Sequence, residues 1–91
     1  MNRTERQKIA ALARVRIPPF GFGAVLRRNL IWRLQNEPTA PLSPNEKYLL
    51  ELCCWHYRKQ LGGLVEFELP ASQPQRGDYL PERADLQDRL L

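Results

Sequence analysis

Residues 43–61 read SPNEKYLLELCCWHYRKQL and carry the strongest helix signal in the chain. Ser43 can accept a hydrogen bond from the backbone N–H of Glu46, and the Glu46 side chain can reach back to the N–H of Ser43. Pro44 suits the first helical position, because the amide hydrogen that proline lacks would have no partner there. Two glycines follow the stretch and offer a left-handed end. The pattern predicts one helix over the whole stretch.

This predicted helix is apolar around most of its circumference when its residues are placed at about 100° intervals. Beside a broad aliphatic face lies a second strip, formed by Tyr48, Leu52 and Trp55. A helix that is apolar nearly all round is central to a fold or binds something. Two interpretations follow. Neighbouring helices cover the strip in a small bundle, or the strip meets a partner protein, for which Trp and Tyr are frequent energetic anchors.

Two further helical patterns precede this stretch. Residues 4–7 (TERQ) spell a capping box, so we expect a first helix that starts at Thr4 and ends before Pro18. Residues 24–36 (AVLRRNLIWRLQN) repeat leucine at helical spacing and predict a second helix. The intervening turn, PPFGFG, is expected to tuck Phe20 or Phe22 into the core.

The remainder of the chain is less regular. Residues 64–69 (LVEFEL) alternate apolar and acidic side chains as a strand does. The sequence predicts a mainly α fold: a small three-helix bundle with one short extended β segment and a short C-terminal helix. We expect residues 1–70 to form the bundle and residues 71–91 to form a polar linker and a short amphipathic helix.

Size and composition limit the class of protein. A chain of 91 residues suits one domain, and it begins with polar, charged residues rather than a secretory signal. No apolar run approaches the length of a membrane span. We therefore expect a cytoplasmic protein that does not enter a membrane and whose two cysteines are reduced.

Charge is divided unevenly along the chain. Residues 1–36 carry eight basic side chains and one acidic one, a net charge of +7, whereas residues 37–91 carry six basic and nine acidic ones, a net charge of −3. Such asymmetry indicates a polyanionic partner for the basic half. It is equally explained by attraction between the two halves within the fold.

The basic half holds the residues that we predict to contact nucleic acid. Arginine binds phosphate through two parallel hydrogen bonds, and an exposed indole can stack on a base. A solvated helix face or a protein contact would show the same residue types. The candidate residues are Arg14, Arg16, Arg27, Arg28, Arg33 and Trp32.

Cys53, Cys54 and His56 suggest metal or nucleophile chemistry, but the pattern is incomplete. A structural zinc site needs four ligands, and the chain has no other cysteine or histidine. A Cys–His catalytic pair needs an accessible thiol and a third group that orients the histidine, whereas Cys53 falls on the most apolar side of its helix. We therefore predict no catalytic residue, no metal and no cofactor.

The sequence predicts a small non-enzymatic binding protein that contacts DNA or RNA through its arginine-rich N-terminal half, in a regulatory or accessory role. The alternative is a protein-binding adaptor or inhibitor. It would use the aromatic strips (Tyr48, Leu52 and Trp55, together with Trp32) and the acidic C-terminal tail. Self-association as a homodimer is a third interpretation.

Overall fold

The computed structural model describes residues 1–79, so the expected C-terminal helix lies outside the described residues. Within them, the chain is mainly helical, as expected, and a three-helix bundle describes it approximately. A four-residue helix continues the third long helix, and a 3-10 turn follows it at Arg76–Asp78. The helices are α1 (Arg3–Leu12), α2 (Ala24–Asn36), α3 (Pro44–His56) and α4 (Arg58–Leu61). The division into residues 1–70 and 71–91 stays a prediction.

Helix α1 is the element that the other two long helices share. Its backbone lies close to both α2 and α3, whereas α2 and α3 approach each other less closely. Ile9 and Leu12 of α1 are completely buried between them. The sequence had suggested α3 as the centre of the bundle, and the structure gives that position to α1. The rest of the core consists of Val15, Leu30, Leu42, Leu50, Cys53, Cys54 and Leu61.

The start of α3 is as predicted. The backbone N–H of Glu46 donates to Ser43 Oγ at 3.1 Å, and the N–H of Ser43 donates to Glu46 Oε1 at 2.9 Å. The end is different, because α3 stops at His56 and the chain bends at Tyr57 before α4 begins. Gly62 is right-handed, with φ −55°, so the expected left-handed glycine end is absent there.

Helix α1 begins one residue before the predicted start. Asn2, rather than Thr4, caps it: the N–H of Glu5 donates to Asn2 Oδ1 at 2.8 Å, and Glu5 Oε1 accepts from the N–H of Asn2 at 3.0 Å. Asn2 and Thr4 are each followed, three residues later, by a side chain that can complete a capping box. Asparagine is the better cap of the two, and glutamate also complements the positive end of the helix.

No strand forms among residues 1–79, so the predicted β segment at residues 64–69 is wrong for the described structure. A single alternating segment has no neighbouring strand to complete its hydrogen bonds. The segment instead runs irregularly beside α1, where residues 64–67 line a groove of 330 Å³ with residues of that helix. Val65 and Leu69 still pack against the core, which accounts for the alternation.

The turn at residues 18–23 corrects another expectation. Phe20 is fully exposed, and Phe22 is 43% exposed, so neither is a core residue. The turn ends at Gly23, which caps α2 with φ 78°. A Cβ added at Gly23 would overlap Cys53 Sγ of α3, so this position has no room for a side chain.

We expect Gly23→Ala to lower the free energy of unfolding by about 2 to 4 kcal/mol, because the left-handed backbone disfavours a side chain and the new methyl group overlaps a buried sulfur. Gly63→Ala is the matched control, since nothing lies within 4 Å of a Cβ added there. Urea unfolding followed by circular dichroism measures both. Equal midpoints for the two variants would contradict the close approach of Gly23 and Cys53.

Candidate nucleic-acid interface

The five candidate arginines divide into two whose side chains form hydrogen bonds within the fold and three whose side chains form none among residues 1–79. Arg27 belongs to the first group. Its Nη1 donates to the carbonyl of Leu12 at 3.2 Å and also to the carbonyl of Val15. The Leu12 carbonyl lies at the C-terminal end of α1 and also accepts from the N–H of Val15 at 3.1 Å, and backbone oxygens at such an end carry partial negative charge. Arg27 therefore ties α2 to the end of α1.

Arg33 is the second internally bonded arginine. Its Nη1 donates to Glu46 Oε2 at 2.6 Å, its Nη2 donates to the carbonyl of Pro41 at 2.9 Å, and its Nε lies 3.4 Å from Glu37 Oε1. Partial burial alone would raise the pKa of Glu46, but hydrogen bonds from Ser43 and Arg33 outweigh it and lower that pKa. Arg33 thus joins the end of α2 to the start of α3.

Arg14, Arg16 and Arg28 are the three exposed candidates. None of them forms an ion pair with an acid among residues 1–79. The backbone of Arg16 is nevertheless fixed, because Gln60 accepts from its N–H at 3.0 Å and donates to its carbonyl at 3.2 Å. These three side chains are therefore the candidates that keep their charge available to a ligand.

Attraction between the two halves of the chain accounts for part of the charge asymmetry. Lys8 pairs with Glu51, and Arg33 pairs with Glu46, so two cations of the basic half meet acids of the other half within the fold. The remaining arginines of that half have no carboxylate partner in the described part of the chain. Residues 6–36 contain no acid at all. A basic surface is left after the internal pairs are formed.

Trp32 lies on a side of α2 that faces solvent. Its indole is 55% exposed, and Val25, two turns earlier, is 60% exposed. Beside them runs an open groove of 480 Å³, and every residue that lines it belongs to α2. The lining consists of Ala24, Arg27, Arg28, Ile31, Trp32 and Gln35. This set, named the α2 groove below, brings Arg28 and Trp32 together.

The second apolar strip of α3 is partly covered by the chain itself. Tyr48, Leu52 and Trp55 are all half-buried. The ring of Tyr79 lies 5.9 Å from that of Tyr48, and the Arg58 guanidinium lies 4.3 Å from the centre of the Trp55 ring. Less of this strip is therefore open to a partner than its sequence suggested.

Sequence reasoning missed the most exposed aromatic side chain. Phe20 stands free on the turn before α2, and the nearby Phe22 ring contacts His56 at 4.6 Å between ring centres. Tyr57 also donates its hydroxyl hydrogen to the carbonyl of Phe22, which holds this turn against the end of α3. The available signal was Gly23, because a glycine permits the left-handed backbone and the close approach to α3 that this turn adopts.

The cysteines are buried. Burial raises the pKa of Cys53 to about 11, against a smaller lowering by Arg27. Burial, with a contribution from Glu51, raises the pKa of Cys54 to about 12. His56 is exposed at the end of α3. Among residues 1–79, no three His, Cys, Asp or Glu side chains are grouped as metal ligands would be.

None of the helices in residues 1–79 combines the length and the apolar character that a transmembrane helix requires.

Comparison of the chain with protein-family models, with curated proteins and with solved structures found no significant match in any of the three.

We expect the neighbours Arg27 and Arg28 to behave differently on truncation. Arg27→Ala removes charged hydrogen bonds to two carbonyls and should lower the free energy of unfolding by about 1.5 to 3 kcal/mol. Arg28→Ala, on the exposed side of the same helix, should change it by less than about 0.5 kcal/mol. Chemical denaturation compares the two, and a destabilisation of Arg28→Ala as large as that of Arg27→Ala would refute this division of roles.

We expect both native thiols to resist a disulfide reagent at mildly alkaline pH, because only the thiolate reacts and burial holds both groups protonated. Absorbance of the released reagent should rise at once for Gly63→Cys, which adds a thiol at an exposed position. The unmodified protein should react only as fast as it unfolds. Rapid modification of Cys53 or Cys54 in the absence of denaturant would show that α3 is not packed as described.

Proposed function

We propose that this protein is a small non-enzymatic binding protein that contacts nucleic acid through Arg14, Arg16, Arg28 and Trp32, in a regulatory or accessory role. One observation carries the proposal. The internal ion pairs use Lys8 and Arg33, and the three exposed arginines of the candidate set have no acid partner among residues 1–79. A surface of this charge attracts a polyanion at long range.

Binding of this kind would rest on phosphate neutralisation. Each phosphate that an arginine neutralises releases counterions, so affinity falls as salt rises. Phosphate contacts position a protein and carry no direct sequence information, so discrimination among sequences is expected to be modest. Arg27 and Arg33, which belonged to the original candidate set, contribute by holding the ends of α2 in place rather than by direct contact.

A protein partner is the second candidate, and the exposure of Phe20 is the observation that favours it. Phe20 is fully exposed and Val25 and Leu64 are more than half exposed, and phenylalanine is enriched in protein interfaces. The absence of acids from residues 6–36 favours a polyanion instead. Tyr48, Leu52 and Trp55 lend this alternative less support, because they are half-buried.

The salt dependence of binding tests the proposal. The triple variant Arg14→Ala, Arg16→Ala and Arg28→Ala should bind a labelled DNA or RNA more weakly than the parent. It should also lower the slope of log affinity against log salt by about 2 to 3, since each lost phosphate contact removes roughly one unit. Fluorescence anisotropy over a range of salt concentrations measures both quantities.

A control with the same net charge separates a local surface from total charge. Lys47→Ala, Lys59→Ala and Arg76→Ala remove three exposed cations from the other half of the chain. This variant should keep most of the affinity and slope of the parent. If the two triple variants lose affinity equally, the binding is non-specific attraction to a basic protein. If the parent binds no nucleic acid at low salt, the proposed function is wrong.

A further inference from the structure

We propose that the nucleic acid is single-stranded and that the α2 groove holds one unstacked base against Trp32. This inference rests on the proposed function and adds the class of ligand to it. It starts from the exposure of Trp32, whose indole is the largest side chain exposed on α2. No described element other than α2 lines the groove beside it.

The lining of the α2 groove has the mixed chemistry that a nucleotide presents. Trp32 offers an aromatic face for a base, and Ala24 and Ile31 add apolar surface to the same lining. Arg28 supplies a cation at the same groove, where a phosphate can accept its hydrogen bonds. Gln35 carries an amide that can both donate to and accept from the edge of a base. A base and its phosphate would thus find complementary groups on one helix face.

A duplex fits this surface less well. Bases in a duplex are stacked on each other, and only their edges are presented in the grooves, where they are read by polar side chains. The exposed part of α2 also carries Val25 and Trp32, which would face sugars and phosphates without a favourable contact. A single strand can turn its bases outward, and stacking on an aromatic side chain then buries both surfaces.

The surrounding charge favours a strand over an apolar protein segment. The stretch from residue 6 to residue 36 contains seven basic residues and no acid. Arg14 and Arg16 precede the turn that leads into α2, and Phe20 stands fully exposed on that turn. A flexible strand that runs past the α2 groove can meet further cations and a second aromatic ring. Single-strand binding proteins combine these two features, a basic track and aromatic platforms.

Trp32 itself can report on the contact. The chain has two tryptophans, so Trp55→Phe leaves Trp32 as the only indole. We expect a twelve-nucleotide oligo(dT) to quench the fluorescence of this variant, because a base stacked on the indole changes its excited state. The same oligonucleotide annealed to oligo(dA) should quench it less and bind at least tenfold more weakly at equal salt.

Two substitutions at Trp32 test its role in affinity. Trp32→Ala should weaken binding of oligo(dT) by about 5- to 150-fold, which is the effect of losing one base stack. Trp32→Phe should recover part of that loss, because phenylalanine still offers a ring. Trp55→Phe serves as the control and should leave the affinity unchanged. Circular dichroism and thermal unfolding check that Trp32→Ala keeps the fold of the parent.

The results of these experiments distinguish a failure of this inference from a failure of the proposed function. Tighter binding of the single strand, quenching of Trp32 and loss of affinity in Trp32→Ala together support the inference. Equal or tighter binding of the duplex, or unchanged affinity in Trp32→Ala, overturns the inference. The proposed function still stands in that case if the arginine triple variant lowers the salt dependence of binding. If neither nucleic acid binds at low salt, both ideas fail, and the exposed aromatic residues are better explained by a protein partner.

Discussion

The close approach of Gly23 to Cys53 is the constraint on which the rest of the structure depends. The start of α2 lies so close to α3 that no Cβ fits between the Gly23 backbone and the Cys53 sulfur. The turn at residues 18–23 is pressed against the bundle by its backbone, and Phe20 is left in solvent. The same contact contributes to the burial of Cys53, which keeps its thiol protonated. The absence of a side chain at Gly23 thus lets α2 begin in direct contact with a buried cysteine of α3.

The arginines of α2 show how one helix serves both the fold and the surface. Arg27 satisfies carbonyls at the end of α1, and Arg33 satisfies a carboxylate at the start of α3. Each arginine therefore takes the place of water as the hydrogen-bond partner of a polar group that the bundle covers. Because covered polar groups need such partners, these contacts serve the fold rather than the binding of a ligand. Arg28 points to no such group in residues 1–79. Adjacent residues of the same type have different roles because they lie about 100° apart on the helix.

Some of this architecture could be predicted from the sequence because local chemistry decides it. The bounds of α2 were predicted correctly, and the capping box at Ser43 marked the start of α3, since both depend on neighbouring residues. The β segment was predicted wrongly because alternating apolar and polar residues show only that one side of a segment is buried. A sheet also needs a second strand with which the segment can pair. The start of α1 was misplaced because two capping patterns, at residues 2–5 and 4–7, overlap.

The candidate site was harder to predict for a related reason. Whether an arginine meets a carbonyl, a carboxylate or water depends on how the helices pack, and the sequence contains no local mark of it. Arg27 and Arg28 are indistinguishable in the sequence and separated in the structure. The close approach of Gly23 to Cys53 likewise joins residues that lie far apart in the chain. Long-range packing, rather than composition, decided which candidates remained available.

The shared position of α1 has a consequence for how the chain folds as it is synthesised. Helix α1 leaves the ribosome before α2 and α3, yet the core that buries it includes Leu50 and Cys54, about forty residues later in the chain. A ten-residue helix is marginal alone in water. The core can therefore close only after most of α3 has emerged. Until then the nascent chain exposes Ile9 and Leu12, so completion of the core depends on contacts between residues about forty positions apart.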